Sequence, residues 1–200
     1  MAEKCRVAVF VSGSGTNLQA IIDAGIEEVE IVLTVSNKAD VFALKRAENH
    51  DIPVEVVDHR AFKTREDFDS ELVRRLEPYS VDLVVLAGFM RILTPTFIAP
   101  YKHRIMNIHP ALLPSFPGVN AVEQAFVYGV KQTGCTVHFI NEGVDTGPII
   151  VQAVVPVEDS DTLESLTEKI HVQEHRIYPE AVKLFAQGRV KVEGRRVRIA

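Results

Sequence analysis

Two rhythms of apolar residues alternate along the first half of the chain. Residues 6–11 form a β-branched apolar run that stops at a Gly/Ser turn, and residues 17–24 follow with Leu18, Ile21 and Ile22 at helical spacing. The pair repeats as strand 31–35 with helix 41–50, then strand 53–57 with helix 64–76. That third helix opens on a capping pair, Thr64 with Asp67, and lines up Phe68, Leu72 and Leu76 on one face. Residues 83–87 are continuously apolar, the pattern of a strand buried on both faces. The order βαβαβαβ predicts parallel strands joined by right-handed crossovers.

The second half is less regular. A strand at 105–108 runs into His109-Pro110, and a Pro-rich loop over 110–118 leads to a helix at 121–128. Strands at 136–140 and 149–157 alternate and are expected to pair antiparallel. A long amphipathic helix over 163–186 starts after Asp161 and Thr162, and residues 190–192 and 197–199 make a small hairpin about Gly194. The fold class is therefore α/β: a doubly wound, mostly parallel sheet with flanking helices and antiparallel strands in the C-terminal half.

At 200 residues against about 150 per domain, a single domain over 1–200 is expected. A chain of this length buries enough surface to need no staple. Lys+Arg 22 against Asp+Glu 27 leaves −5, so no broad basic face exists for nucleic acid. The two cysteines, Cys5 and Cys135, belong to no CxxC pair and read as small buried residues of a reducing compartment. No apolar stretch approaches the ~20 residues of a membrane span, and the first residues lack signal-peptide architecture. A soluble, cytoplasmic protein without membrane partners is expected.

Three segments carry candidate chemistry. Gly13-Ser14-Gly15-Thr16-Asn17 lies between the first strand and first helix, where glycines let backbone N–H groups approach an anion. The third glycine of the dinucleotide fingerprint is replaced by Leu18 and there is no Walker lysine, so a single terminal phosphate fits better than NAD or ATP. The bland alternative is a plain strand-to-helix turn.

The second segment, residues 107–114, places Asn107 and His109 two apart on a strand and hence on one side, at its carboxyl end. An amide beside an imidazole suits a developing oxyanion; a lone histidine in an apolar run is more often structural, and the polar pair at a strand end brings the two readings level. The third, residues 143–148, holds Asp145 between glycines. It is either a turn residue or the partner that stabilises a charged His109. The other histidines, His50, His59, His103, His138, His171 and His175, show no metal-ligand spacing, and Val172 stands where an HExxH motif needs glutamate, so no metal is expected. The arginines at 195, 196 and 198 read as a solvated face.

Taken together, residues 107–118 (NIHPALLPSFPG) and 144–150 (VDTGPII) resemble the 10-formyltetrahydrofolate-dependent formyltransferases. Residues 12–20, 87–93, 134–139 and 173–179 resemble the branch of that family that acts on glycinamide ribonucleotide. The resemblance covers essentially the whole chain. It implies a catalytic trio of Asn107, His109 and Asp145. It implies that Gly13, Ser14, Gly15, Thr16 and Asn17, with His171, Val172, Gln173 and Glu174, hold the ribonucleotide. It implies a folate pocket at Arg65, Met90, Arg91, Ile92 and Leu93, with Asn107 and Asn141, Glu142, Gly143, Val144 and Asp145. The N-terminal half would then be the ribonucleotide side, and the C-terminal half the folate and catalytic side.

The implied cosubstrate is 10-formyltetrahydrofolate, the acceptor is glycinamide ribonucleotide in purine (IMP) synthesis, and the protein is expected as a monomer or homodimer. Asn120 and Val122 stand where some relatives carry a histidine, which removes an auxiliary contact to Asp145. Three rivals stay open. A 10-formyltetrahydrofolate hydrolase shares the core, but that branch generally carries an N-terminal regulatory domain. A non-catalytic nucleotide- or folate-binding module and a nicotinamide-binding domain are the others.

Overall fold

The computed structural model describes residues 3–200. The chain divides into two compact units, Met1–Met106 and Asn107–Ala200. Both are α/β, and the expected alternation of strands and helices is present in the first unit.

In the first unit, β1 (Cys5–Val11), α1 (Thr16–Asp23), β2 (Val29–Ser36), α2 (Phe42–Glu48), β3 (Val54–Val56), α3 (Arg65–Leu76) and β4 (Leu83–Leu86) follow one another. Strands β2 and β4 pair with β1, and β3 pairs with β2, all parallel, in the order β3-β2-β1-β4. Val7 to Val11 and Leu83 to Val85 are wholly buried, which is why their sequence shows no alternation. Thr64 caps α3, its hydroxyl accepting from the Asp67 N–H at 3.0 Å. A four-residue helix, α4 (Pro95–Ile98), was not expected, because so short a segment has no periodicity to read.

Strand order reverses between β1 and β4. In open α/β sheets, ligands bind outside the carboxyl ends of strands at such a switch point. The segments leaving those two strands, 12–17 and 87–93, are the glycine loop and the first part of the implied folate pocket.

The second unit holds most of β5 (Ile105–His109), then α5 (Ala121–Tyr128), β6 (Gln132–Phe139), β7 (Ile149–Pro156), α6 (Leu163–Ala186), β8 (Val190–Glu193) and β9 (Arg196–Ile199). Its strand order is β5-β6-β7-β9-β8, with β6 antiparallel to β7 and β8 antiparallel to β9. Helix α6 begins with a full capping box: the Thr162 hydroxyl accepts from Ser165 N–H, and Ser165 Oγ accepts from Thr162 N–H. Pro179 sits inside α6, buried with Ile177 and Tyr178.

Cys135 is buried as expected, but Cys5, near the start of β1, is only half-buried. Burial pushes both thiols up, Cys5 to about 11 and Cys135 to about 12, so neither is a nucleophile at neutral pH. No helix among the described residues is long and apolar enough to cross a membrane.

Candidate active site

The expected strand alternation places Asn107 and His109 at the end of β5, and both meet neighbours of chemical interest. His109 is buried, with its Nδ1 3.4 Å from Asp145 Oδ2 and its Nε2 2.8 Å from the Phe116 carbonyl oxygen. A carbonyl oxygen only accepts, so Nε2 carries a proton and donates to it. Both ring nitrogens thus face acceptor oxygens. The trio implied by the resemblance is close together in space.

A fourth residue joins them. His138, wholly buried in β6, receives the Asn107 amide: Asn107 Nδ2 lies 3.3 Å from His138 Nε2, while His138 Nδ1 donates to the Phe139 carbonyl at 3.0 Å. In this tautomer Nε2 is bare and accepts, which fixes the Asn107 amide with its nitrogen toward His138. Burial lowers the His138 pKa below the ordinary 6.5, with nearby His109 acting the same way; its bond to the Phe139 carbonyl and the Asp145 carboxylate act in opposition. Asp145 Oδ1 lies 3.7 Å from His138 Nε2, so one carboxylate stands between two imidazoles.

A pH effect on stability follows. Above about pH 6.5 the ring is neutral whether the chain is folded or not, and His138 costs nothing. Below it the unfolded chain takes up a proton that the folded chain refuses, so stability falls as pH drops from 6.5 toward the lowered folded value. The urea midpoint should decline between pH 7 and pH 5, and His138→Asn should decline less steeply over the same range. Equal slopes would mean that His138 does not resist protonation.

The segments carrying these residues are held by side chains of β6 and β7. Thr136 and Gln152 face each other across the two strands. The Thr136 hydroxyl donates to the Ala111 carbonyl at 2.7 Å and accepts from Leu113 N–H at 3.1 Å, while Gln152 donates to the Leu113 carbonyl at 3.0 Å. Those bonds fix the chain that leads to Phe116, which sits at φ 51°, and to Gly118, whose N–H donates to Asp145 Oδ2 at 2.7 Å.

Asp145 itself adopts φ 51°, a left-handed conformation that aspartate tolerates. Its loop is closed by Asn141, whose Oδ1 accepts from Gly143 N–H at 3.2 Å and from the Thr146 hydroxyl at 2.8 Å. Arg195, exposed as expected, also donates to the Thr146 carbonyl at 2.9 Å and ties this loop to the terminal hairpin. Val144 and Glu142 of the same loop are exposed.

On α6, Glu174 is buried while His171 and Val172 are exposed. The His171 and His175 rings stack with centroids 6.3 Å apart. Among the described residues, no three His, Cys, Asp or Glu side chains gather as a metal site.

In the first unit, the glycine loop caps α1 at Gly15, which has φ 74° and contributes no side chain. Ser12 links this loop to two other segments, and no local sequence pattern marks it. Its buried hydroxyl accepts from Met90 N–H at 2.9 Å and donates to Asn37 Oδ1 at 2.6 Å. The Asn37 amide reaches on to His59 Nδ1 at 3.3 Å. Met90 and Ile92 are exposed, and Leu93 is buried. Just beyond them, Thr94 N–H donates at 2.5 Å to Asp69, a carboxylate of α3 whose pKa burial raises. Arg65 opens the same helix and is exposed.

Residues 5–182 match the formyl transferase family. The chain is 45% identical over 190 residues to phosphoribosylglycinamide formyltransferase of Escherichia coli, covering 93% of this chain and 89% of that protein. It is 49% identical over 193 residues to the trifunctional purine biosynthetic protein adenosine-3 of Homo sapiens, covering 95% of this chain and 19% of that protein. The chain spans between 14% and 19% of the length of the trifunctional relatives it matches. Among solved structures, glycinamide ribonucleotide transformylase 1 from Symbiobacterium toebii superposes with a TM-score of 0.96 at 49% identity, covering 100% of this chain and 95% of that one.

Proposed function

Since the chain belongs to the formyl transferase family, we propose that it transfers the formyl group of 10-formyltetrahydrofolate to the amine of glycinamide ribonucleotide, a step of purine synthesis. The observation that carries this reading is the convergence of Asn107, His109 and Asp145 in the second unit. Fold alone would not support it, because doubly wound sheets host many activities.

The neutral amine attacks the formyl carbon and its oxygen becomes an oxyanion. Asn107, its amide fixed by His138, donates to that oxygen. The formyl oxygen replaces the Phe116 carbonyl as the acceptor of His109 Nε2–H, so one oxygen is exchanged for another. The Asp145 carboxylate balances the charge on the ring. A proton leaves the attacking nitrogen and reaches folate N10, with Asp145 as the relaying base. The C–N10 bond then breaks, leaving tetrahydrofolate and the formamide.

No resident metal enters these steps. Folate is a cosubstrate, taken by Arg65, Met90 to Leu93, Asn107 and the loop Asn141 to Asp145. The ribonucleotide phosphate is taken by Gly13 to Asn17, whose backbone N–H groups open α1, and its remainder by His171, Val172, Gln173 and Glu174. A cytoplasmic setting belongs to the same reading, since two cysteines are too few for a disulfide framework.

An absorbance assay tests the reading. Folate deformylation should require glycinamide ribonucleotide. Release without it would make the chain a hydrolase, and loop 13–17 would then hold no substrate.

A further inference from the structure

The glycine loop is braced on one side by α2, and the bracing residue of greatest chemical weight is Arg46. Its Nε donates to the Ser14 carbonyl at 2.9 Å, and its Nη1 donates to Gln19 Oε1 on α1 at 3.2 Å. The guanidinium carbon also lies over the Phe42 ring, 4.8 Å from its centre, a cation–π contact. Two further contacts come from the same helix. Ala43 N–H donates to the Gly13 carbonyl at 3.1 Å. Gly15 lies so close that an added Cβ would sit 2.6 Å from Ala43 Cβ.

The carbonyls of Gly13 and Ser14 are therefore both engaged by α2. A backbone that turns successive carbonyls one way frees its N–H edge to face another, which is what an anion nest requires. We infer that Arg46 is the positioning residue of the phosphate loop: it turns the Ser14 carbonyl away from the ligand and sets a positive charge against a phosphomonoester. This rests on the phosphate role proposed for residues 13–17.

Lysine cannot replace the fork, since it offers a point charge where Arg46 bridges two acceptors and lies over a ring. Arg46→Ala and Arg46→Lys are compared with wild type on glycinamide ribonucleotide and on glycinamide riboside, which lacks the phosphate. Arg46→Ala should raise the ribonucleotide KM about tenfold or more, the scale of a lost charge-assisted bond, with kcat and the folate KM little changed. On the riboside it should match wild type. Inhibition by inorganic phosphate should weaken in parallel, and Arg46→Lys should fall between.

Equal losses on ribonucleotide and riboside would overturn the inference and leave Arg46 a purely structural brace. Unchanged phosphate inhibition would overturn it too. Stabilisation of the protein by inorganic phosphate, measured by thermal melting, separates the two levels of the reading. If phosphate stabilises wild type but not Arg46→Ala while the ribonucleotide accepts no formyl group, the inference stands and the proposed acceptor is wrong.

Discussion

Asn107→Ala is expected to lower kcat by about 10²–10³, the usual loss when one oxyanion donor is removed. The side chain reaches His138 at 3.3 Å and sits at the end of β5, so it is aimed rather than mobile. Removing it leaves the buried His138 Nε2 without that donor, at about 1–3 kcal/mol, so the melting temperature should fall by roughly 2–12 °C while the variant still folds. His109→Ala should cost at least as much in turnover. It should also cost stability, because the Phe116 carbonyl loses its partner while Asp145 keeps the Gly118 N–H, at about 1–3 kcal/mol for the one acceptor left unpaired. Steady-state kinetics at saturating substrates, with circular dichroism to confirm the fold, would check both. A loss of only a few-fold in Asn107→Ala would remove it from the oxyanion site.

Gly147→Ala is expected to damage fold and activity together. A Cβ at Gly147 would lie 1.6 Å from the Phe139 carbonyl oxygen and 2.7 Å from its carbon, so backbone must move. By geometry the casualty is the bond from the end of β6 to the residue before β7, Phe139 N–H to the Pro148 carbonyl at 2.9 Å. Overpacking at about 1–3 kcal/mol and one lost hydrogen bond at about 1 kcal/mol give roughly 2–4 kcal/mol. For a chain of this size that lowers the melting temperature by roughly 4–16 °C. Asp145 stands two residues away and His138 Nδ1 3.5 Å from the added atom, so kcat should fall even at temperatures where the variant stays folded. A variant that melts with wild type would mean the two strands part without cost.

Local signals made much of this legible. Helices α5 and α6 have the bounds that their periodicity and the residues Asp161 and Thr162 suggest, and α3 starts where Thr64 caps it. Strand β6 begins at Gln132, four residues before its alternation shows, because Gly134 interrupts the apolar pattern.

The site was half legible. Alternation along β5 pairs Asn107 with His109, but the placing of Asp145 beside them came from resemblance alone. His138 and Thr136 are polar residues two apart on one face of a buried strand, and that alternation was the available signal. Ser12 and Met90 are 78 residues apart in sequence, and no local pattern announces their bond. The Phe116 carbonyl is backbone, so no residue type marks it.

The most direct measurement follows the formyl carbon. The protein is given 10-formyltetrahydrofolate labelled with ¹³C in the formyl group, together with glycinamide ribonucleotide, and the label is traced by NMR. The expected result is label in the formamide of the ribonucleotide, one for each tetrahydrofolate released. Label appearing as free formate while the ribonucleotide stays unformylated would contradict the account.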